Sequence, residues 1–245
     1  PEDQAAAEKS MQAKLGWYAN PIFGEGDYPL SLKEQMAAVS WGLGMPTSIL
    51  PEFTAEEKVL NKGSSDFFGL NHYTTRLLSP STEPLGADSS SAMIGVNEEV
   101  DPTWKRGQSS WLYVVPWGLR RLLNWITKTY NKPPIYVTEN GVSDGTGELD
   151  DQMRVDFYKG YINEVLKAIR LDGCDVRGYT AWSLLDNYEW AMGYSERFGL
   201  HHVDYNDPER KRTPKASAKF YAKVIKDNGF PRSEERRVGK ECRSR

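Results

Sequence analysis

This 245-residue sequence has no long apolar run, only two cysteines and no dinucleotide-binding motif. No apolar run approaches the roughly 18 residues of a transmembrane helix, so no membrane segment is expected. The two cysteines, Cys174 and Cys242, are too few for a disulfide framework. The G-x-G-x-x-G loop of dinucleotide-binding proteins is absent, which argues against a dehydrogenase.

Basic residues are fewer than acidic residues in most of the chain. The last 15 residues, PRSEERRVGKECRSR (231–245), hold six Lys or Arg and three Glu. Residues 1–230 therefore contain 25 basic and 31 acidic residues, a net charge of −6 within a total of −3. A mildly acidic body argues against nucleic acid as a partner. Because the tail has no apolar period, we expect one domain over 1–230 and a basic, disordered or non-native tail over 231–245.

Candidate metal ligands are also sparse. The segment LHHVDYND (200–207) offers His201, His202 and Asp204, but no further ligand follows at the spacing that metal sites use. The loop SDGTGELDD (143–151) lacks the carboxylate spacing of a calcium loop. We therefore expect neither a metal nor a cofactor.

The sequence does contain an alternation of strand and helix patterns. Strand-like segments occur at 66–75, 133–141 and 176–187, and apolar residues recur at helical spacing over 116–130, 150–173 and 214–229. This alternation predicts a parallel sheet covered by helices. In the first 60 residues we predict one helix, over about 3–15, and a turn-rich segment over 20–29; the polar segment 79–110 is predicted to be a loop. Only three strands are convincing, whereas a TIM barrel has eight.

Polar and aromatic residues follow each of the three predicted strands. In parallel α/β folds the functional residues lie at the C-terminal ends of the strands. The clusters at these positions are 71–73, 139–140 and 182–190. They combine carboxylates, amides, a phenol and indoles. Indoles stack on the C–H faces of pyranose rings, and carboxylates accept paired hydrogen bonds from vicinal hydroxyls. The pattern therefore favours a sugar site.

These segments resemble glycoside hydrolase family 1, the β-glucosidase family, in its animal-type branch. The resemblance extends over about residues 1–230 and concerns the C-terminal half of the family sequence; the tail resembles nothing in it. The segments that carry it are GWYANPIFGEGDYP (16–29), LPEFTAEEKVLNKGSSDFFGLN (50–71), GLNHYTT (69–75), YVTENG (136–141) and AWSLLDNYEWAMGYSERFGL (181–200). It implies an α/β fold that is part of a TIM (β/α)8 barrel, roughly strands six to eight with their helices.

The resemblance also implies roles for individual residues. Glu139 corresponds to the catalytic nucleophile of a retaining glycosidase, and Tyr73 to the phenol that hydrogen-bonds it. The implied substrate-binding residues are Asn71, Trp111, Trp182, Glu189, Trp190 and Phe198. Simpler readings exist: Glu139 as a turn cap, Trp182 and Trp190 as core aromatics, and Glu189 as a solvated loop charge. The motifs occur in family order, which favours the functional interpretation.

One family motif is absent. The acid/base of the family lies in Thr-x-Asn-Glu-Pro, and the Asn97-Glu98 pair is followed here by Glu99 instead of proline. We therefore expect a fragment that has the nucleophile, lacks the acid/base and is inactive alone. The expected substrate is a β-glucoside or oligosaccharide. The alternative is a non-catalytic, glycosidase-like sugar-binding or receptor module, because such relatives typically lose one catalytic carboxylate.

Overall fold

The computed structural model describes residues 1–83, 85 and 90–230. The tail over 231–245 lies outside them. The chain divides into two compact units. Of the described residues, the first unit contains those within 1–68, 75–104 and 124–135, and the second contains those within 69–74, 105–123 and 136–230.

The described residues form helices and strands, which are numbered in chain order. The α-helices are α1 (Glu2–Met11), α2 (Trp17–Phe23), α3 (Leu30–Gly42), α4 (Ala55–Asn61), α5 (Ser90–Ile94), α6 (Pro116–Thr129), α7 (Gln152–Arg170) and α8 (Ala216–Asp227). A π-helical turn (Gln12–Gly16) joins α1 to α2, and a 3-10 turn covers Trp190–Met192. The strands are β1 (Phe68–Asn71), β2 (Leu77–Pro80), β3 (Val96–Glu99), β4 (Ile135–Asn140), β5 (Val176–Ala181), β6 (His201–Val203) and β7 (Arg212–Pro214). None of these helices is long and apolar enough to cross a membrane.

The first unit is more helical than its sequence suggested. The prediction of one helix over about 3–15 was incomplete, because helical turns continue to Phe23 and both α3 and α4 follow. Helix α3 buries Leu32, Met36 and Val39, which recur at steps of four and three residues. These side chains pack with apolar residues of α1, α5 and β3 in one hydrophobic cluster. Burial of this stripe accounts for a helix in a segment to which the sequence analysis assigned no structure.

The polar segment 79–110 is not the plain loop that we predicted. Strands β2 and β3 pair antiparallel, from Leu77 opposite Glu99 to Pro80 opposite Val96. Asn97 and Glu98 therefore lie within a strand. Val96 is buried in the hydrophobic cluster of the first unit. This contact stabilises an antiparallel strand pair that the polar composition of the segment did not indicate.

The parallel sheet that the sequence predicted lies mostly in the second unit. Its strand order is β1-β4-β5. Phe68 N–H donates to the Pro134 carbonyl over 2.7 Å and His72 N–H to the Glu139 carbonyl over 3.0 Å. Both partners advance toward their C-termini, so β1 and β4 are parallel. Within the described residues this sheet has three strands and does not close into a barrel. The fold is thus α/β with a partial barrel sheet.

Helices α6, α7 and α8 agree with the three helical patterns, within a few residues at each end. Helix α7 buries one face through Phe157, Tyr161 and Val165, spaced by four residues. The Tyr161 hydroxyl accepts the Val115 N–H over 3.0 Å just before α6 begins. These contacts hold the helices that precede and follow β4 together, and so fix the strand that carries Glu139.

Candidate active site

The C-terminal ends of the three parallel strands meet at one edge of the sheet. The His72 N–H donates to the Glu139 carbonyl, and the Trp182 N–H donates to the Asn140 carbonyl over 2.9 Å. Gly141 allows this second approach, because a Cβ at that position would lie 1.9 Å from the Trp182 carbonyl oxygen. The glycine of the TENG motif therefore brings the end of β5 against the end of β4.

Tyr73 and Glu139 form the central contact of the site. The Tyr73 hydroxyl donates to Glu139 Oε2 over 2.6 Å, which confirms the predicted hydrogen bond. Burial raises the pKa of Tyr73, and the hydrogen bond to Glu139 raises it further. The phenol therefore remains protonated and keeps a donor on the carboxylate. The Tyr73 ring meets the rings of Trp111 and Phe198 edge to face, with centroids 5.9 Å and 6.2 Å away.

Two asparagines flank this pair and have different surroundings. Asn71 is exposed, and its Oδ1 accepts the Thr138 hydroxyl over 2.6 Å. Asn140 is fully buried. It donates to the His72 carbonyl over 2.6 Å and accepts the Tyr179 hydroxyl over 2.5 Å. Asn140 therefore fixes the backbone between Asn71 and Tyr73, whereas the Asn71 side chain remains at the surface of the site.

Trp182 and Glu189 are two predicted substrate-binding residues that the structure brings together. The Trp182 indole N–H donates to Glu189 Oε1 over 3.1 Å. Glu189 is buried, and this burial raises the pKa of its carboxyl group. The hydrogen bonds from Trp182 and Asn187 oppose that increase, and the charges of Glu196 and Glu139 add to it. A carboxylate and an indole are thus held side by side, as hydroxyl recognition and ring stacking require.

Three aromatic candidates differ in their exposure. Phe198 is buried, Trp111 is 46% exposed and Trp190 is 81% exposed. Trp190 follows Glu189 at the start of the 3-10 turn, with φ of 50°. Among the described residues, we find no hydrogen bond or ring contact between its indole and the other predicted site residues. Trp190 thus shares the loop of Glu189 but is not packed into the cluster around Tyr73.

A buried ionic cluster beneath the site was missed by the sequence analysis. Arg154, on α7, is fully buried and pairs with Asp144 and Asp151. Its guanidinium also donates to the Arg197 carbonyl over 2.6 Å. The fully buried Lys215 donates to Asp186 over 2.9 Å. The one sequence signal was Arg154 itself, because a charged residue three positions before Phe157 interrupts the apolar face of α7.

A second missed group is hydroxyl-rich. Ser109, Ser143 and Glu196 are buried together. The Ser109 and Ser143 oxygens are 2.7 Å apart, and Ser109 donates to the Glu196 carboxylate. No sequence pattern joins these three residues, since their contacts span 34 and 87 positions.

The described residues contain no group of three or more His, Cys, Asp or Glu arranged to hold a metal ion. His72 is a buried histidine beside the site, and burial lowers its pKa to about 4. It is therefore neutral near neutral pH. The chemistry available at this edge of the sheet is that of carboxylates oriented by hydroxyl, indole and amide donors.

The family model described as Glycosyl hydrolase family 1 matches residues 1–230. The chain belongs to this family.

Curated proteins similar to this family 1 chain include animal glycosidases. It is 50% identical to the rat (Rattus norvegicus) "Lactase/phlorizin hydrolase" over 94% of its own length and 12% of that protein. It is 47% identical to the human (Homo sapiens) "Cytosolic beta-glucosidase" over 93% of its own length and 48% of that protein. The chain thus spans less than half the length of either relative.

Solved structures of the family show the same fold. An aphid myrosinase superposes with a TM-score of 0.85 at 39% identity, covering 92% of this chain and 48% of the myrosinase. A rice β-glucosidase mutant in a covalent complex with Glc gives a TM-score of 0.79 at 40% identity, covering 90% of this chain and 46% of the enzyme. The chain superposes on about half of each of these two structures.

Proposed function

We propose that this chain is the nucleophile-bearing part of a retaining β-glucosidase, in which Glu139 attacks the anomeric carbon of a β-glucoside. The observation that carries the proposal is the 2.6 Å hydrogen bond from Tyr73 to Glu139. A nucleophilic carboxylate needs a defined orientation and one oxygen free to react. Tyr73 occupies Oε2 and so aims the other oxygen, Oε1, as the attacking atom.

The proposed reaction has two steps. Glu139 first displaces the leaving-group oxygen and forms a covalent glycosyl-enzyme, and water then cleaves that ester with retention of configuration. A second carboxyl group, about 5–5.5 Å from the nucleophile, protonates the leaving oxygen and later activates the water. The sequence contains no Thr-x-Asn-Glu-Pro motif to supply this group. The rice relative in covalent complex with Glc supports the glycosyl-enzyme step.

The sugar-binding roles follow from the arrangement around Glu189. Its carboxylate accepts hydroxyl hydrogen bonds from the glycone, and Trp182 orients that carboxylate while its ring face stacks on the sugar. Trp190 contributes from the exposed part of the same loop, Asn71 from the end of β1, and Phe198 from beside Tyr73. Trp111, whose ring also meets Tyr73, lies on the leaving-group side of the site. We assign β-glucosides as the preferred substrates, with β-galactosides or β-fucosides next, because one carboxylate can bridge two neighbouring hydroxyls in either geometry.

For the fold, we propose that residues 1–230 supply strands six to eight of a family 1 barrel, with β1, β4 and β5 in those places. The superposition on about half of each family structure supports this assignment. We assign residues 231–245 to a basic tail outside the catalytic domain.

Covalent trapping tests the nucleophile. The full chain is incubated with 2,4-dinitrophenyl 2-deoxy-2-fluoro-β-D-glucoside, whose leaving group needs little protonation, and the adduct is located by peptide mass spectrometry. One fluoroglucosyl group on Glu139 is expected, with none on Glu139→Gln. Glu148→Gln, which changes an exposed carboxylate nine positions later, should be labelled like the wild type. Labelling at another residue, or equal labelling of Glu139→Gln, contradicts the assignment.

The absence of the acid/base motif favours one alternative, a non-catalytic sugar-binding module. Such a module binds β-glucosides through Glu189 and Trp182 but does not form the adduct. Saturable binding of a β-thioglucoside by a chain that the fluoroglucoside never labels would therefore support the alternative over the enzyme.

A further inference from the structure

Glu196, a residue with no role in the proposal above, is held in the interior beside the site. It is 6% exposed, and the two serines that it joins, Ser109 and Ser143, are fully buried. The three residues come from three separate segments. Ser109 precedes α6, Ser143 lies four positions after Glu139, and Glu196 lies two positions before Phe198.

The hydrogen bonds of this group have one consistent direction. A carboxylate can only accept, so the Ser109 hydroxyl donates to Glu196. With its single hydrogen so used, Ser109 must accept from the Ser143 hydroxyl, 2.7 Å away. The Ser143 oxygen in turn accepts the Ser109 backbone N–H over 3.0 Å. Each hydroxyl thus donates one hydrogen bond and accepts one, and the chain of donors ends on Glu196.

The segment that Glu196 anchors is the turn that presents Trp111. The Ser109 carbonyl accepts the Leu112 N–H over 3.2 Å, and the Gly107 N–H donates to the Leu112 carbonyl over 3.0 Å. Trp111 is the third of the four turn residues, and its ring meets the Tyr73 ring edge to face. Glu196 is therefore linked to Tyr73, the donor to Glu139, by the Ser109 hydrogen bond, the turn that contains Trp111 and the ring contact of Trp111.

We propose that Glu196 is a positioning residue that fixes Trp111 through Ser109 and thereby sets the preference of the site for aromatic leaving groups. This rests on the proposed function, in which Trp111 lies on the leaving-group side. A half-exposed indole held in one orientation offers its face to an aryl ring, whereas a mobile one loses part of that contact to conformational entropy.

The same carboxylate acts on Glu189, since its charge is one of the causes, after burial, that raise the pKa of Glu189. Glu196→Gln separates the two effects, because the amide oxygen can still accept from Ser109 while the charge is removed. Glu196→Ala removes both the hydrogen-bond acceptor and the charge, and Ser109→Ala removes only the hydroxyl. Glu148→Ala is a matched control that deletes an exposed carboxylate.

The orientation of Trp111 is measured in the full chain labelled with 5-fluorotryptophan, with its fluorine resonance among eight tryptophans assigned by Trp111→Phe. We expect the Trp111 resonance to move toward its denatured-state position in Glu196→Ala and Ser109→Ala. It should stay in place in Glu196→Gln and Glu148→Ala. The other seven resonances report on folding. An unmoved Trp111 resonance, or movement of all eight together, overturns the proposal.

Binding is then measured by calorimetry with 4-nitrophenyl and methyl β-D-thioglucosides. Glu196→Ala and Ser109→Ala should weaken binding of the aryl compound about two- to tenfold, which is the contribution of one aromatic contact. Binding of the methyl compound should be unchanged. Equal weakening of both compounds overturns the specificity role. If the wild type binds neither compound, the proposed function fails, while the fluorine measurement still decides whether Glu196 positions Trp111.

Discussion

Tyr73 donates its hydroxyl to Glu139 over 2.6 Å, although 66 positions separate the two residues in sequence. They meet because β1 and β4 are parallel neighbours, so that the residues leaving each strand emerge at the same edge. The His72 N–H, one residue before Tyr73, is bonded to the Glu139 carbonyl. The backbone pairing of the strands therefore sets the side-chain contact.

Replacing Tyr73 by phenylalanine tests this contact. Tyr73→Phe keeps the ring against Trp111 and Phe198 but leaves Glu139 Oε2 without its donor. A hydrogen bond to a charged group contributes about 1.5–3 kcal/mol, so covalent labelling of Glu139 should slow by about 10- to 100-fold. The labelling rate with the fluoroglucoside measures this. Tyr18→Phe, at a 72% exposed position, should label normally, and an unchanged rate in Tyr73→Phe would contradict the proposed orientation.

Gly141 provides a test of strand-end packing. A Cβ at this position would lie 1.9 Å from the Trp182 carbonyl oxygen, so Gly141→Ala must push the ends of β4 and β5 apart. We expect a loss of about 1–3 kcal/mol in the free energy of unfolding, measured by urea denaturation. The control is Gly42→Ala, because nothing lies within 4 Å of a Cβ there. Equal stability of the two variants would show that the carbonyl can move freely.

Removal of Arg154 tests the buried ionic cluster. Arg154→Met leaves Asp144 and Asp151 without their fully buried partner. Breaking a buried ion pair in this way destabilises by about 3–5 kcal/mol, because Asp144 and Asp151 lose the cation that both of them contact. Urea denaturation should show this loss. Arg177→Met, which breaks an exposed pair with Asp175, should change stability far less.

The raised pKa of Glu189 in the folded state predicts how the stability of the chain changes with pH. Burial raises its pKa in the folded state above 4.5, and the charges of Glu196 and Glu139 raise it further. Its proton is therefore lost first from the unfolded chain. The folded state binds more protons in the window above pH 4.5, so stability falls as the pH rises through the folded pKa.

The measurement compares the free energy of unfolding of the wild type and Glu189→Gln from pH 4 to 7. The glutamine is a neutral analogue of the protonated carboxyl group. The wild type should therefore lose stability relative to the variant as the pH rises from 4.5 upward. A difference that stays constant over this range would mean that Glu189 ionises equally in both states.

The complete 245-residue chain should not turn over ordinary glycosides. General acid–base assistance contributes about 10²- to 10⁴-fold, and a poor leaving group needs a proton as Glu139 attacks. Incubation with cellobiose should release no glucose above the level seen with Glu139→Gln. Steady glucose release by the wild type alone would reveal an acid within the chain outside the Thr-x-Asn-Glu-Pro pattern.

Local patterns accounted for much of the fold. The spacing of apolar residues located α6, α7 and α8, because a helix buries one stripe whatever it packs against. The rule that functional residues follow the C-terminal ends of parallel strands also identified Glu139 and Tyr73 as site residues. The same reasoning failed for α3 and for the β2–β3 hairpin, whose stability comes from a shared hydrophobic cluster. No window of sequence contains that cluster.

By itself the sequence determined the alternation of strands and helices, the family, and which residue types follow each strand, because these depend on local order along the chain. The tertiary structure decided which of those residues touch. It joined Tyr73 to Glu139 and Trp182 to Glu189, left Trp190 exposed, and buried Glu196 with Ser109, 87 positions away in sequence. Hydrogen bonds and ion pairs act over about 3 Å in space, and only the packed strands and helices bring distant positions within that range.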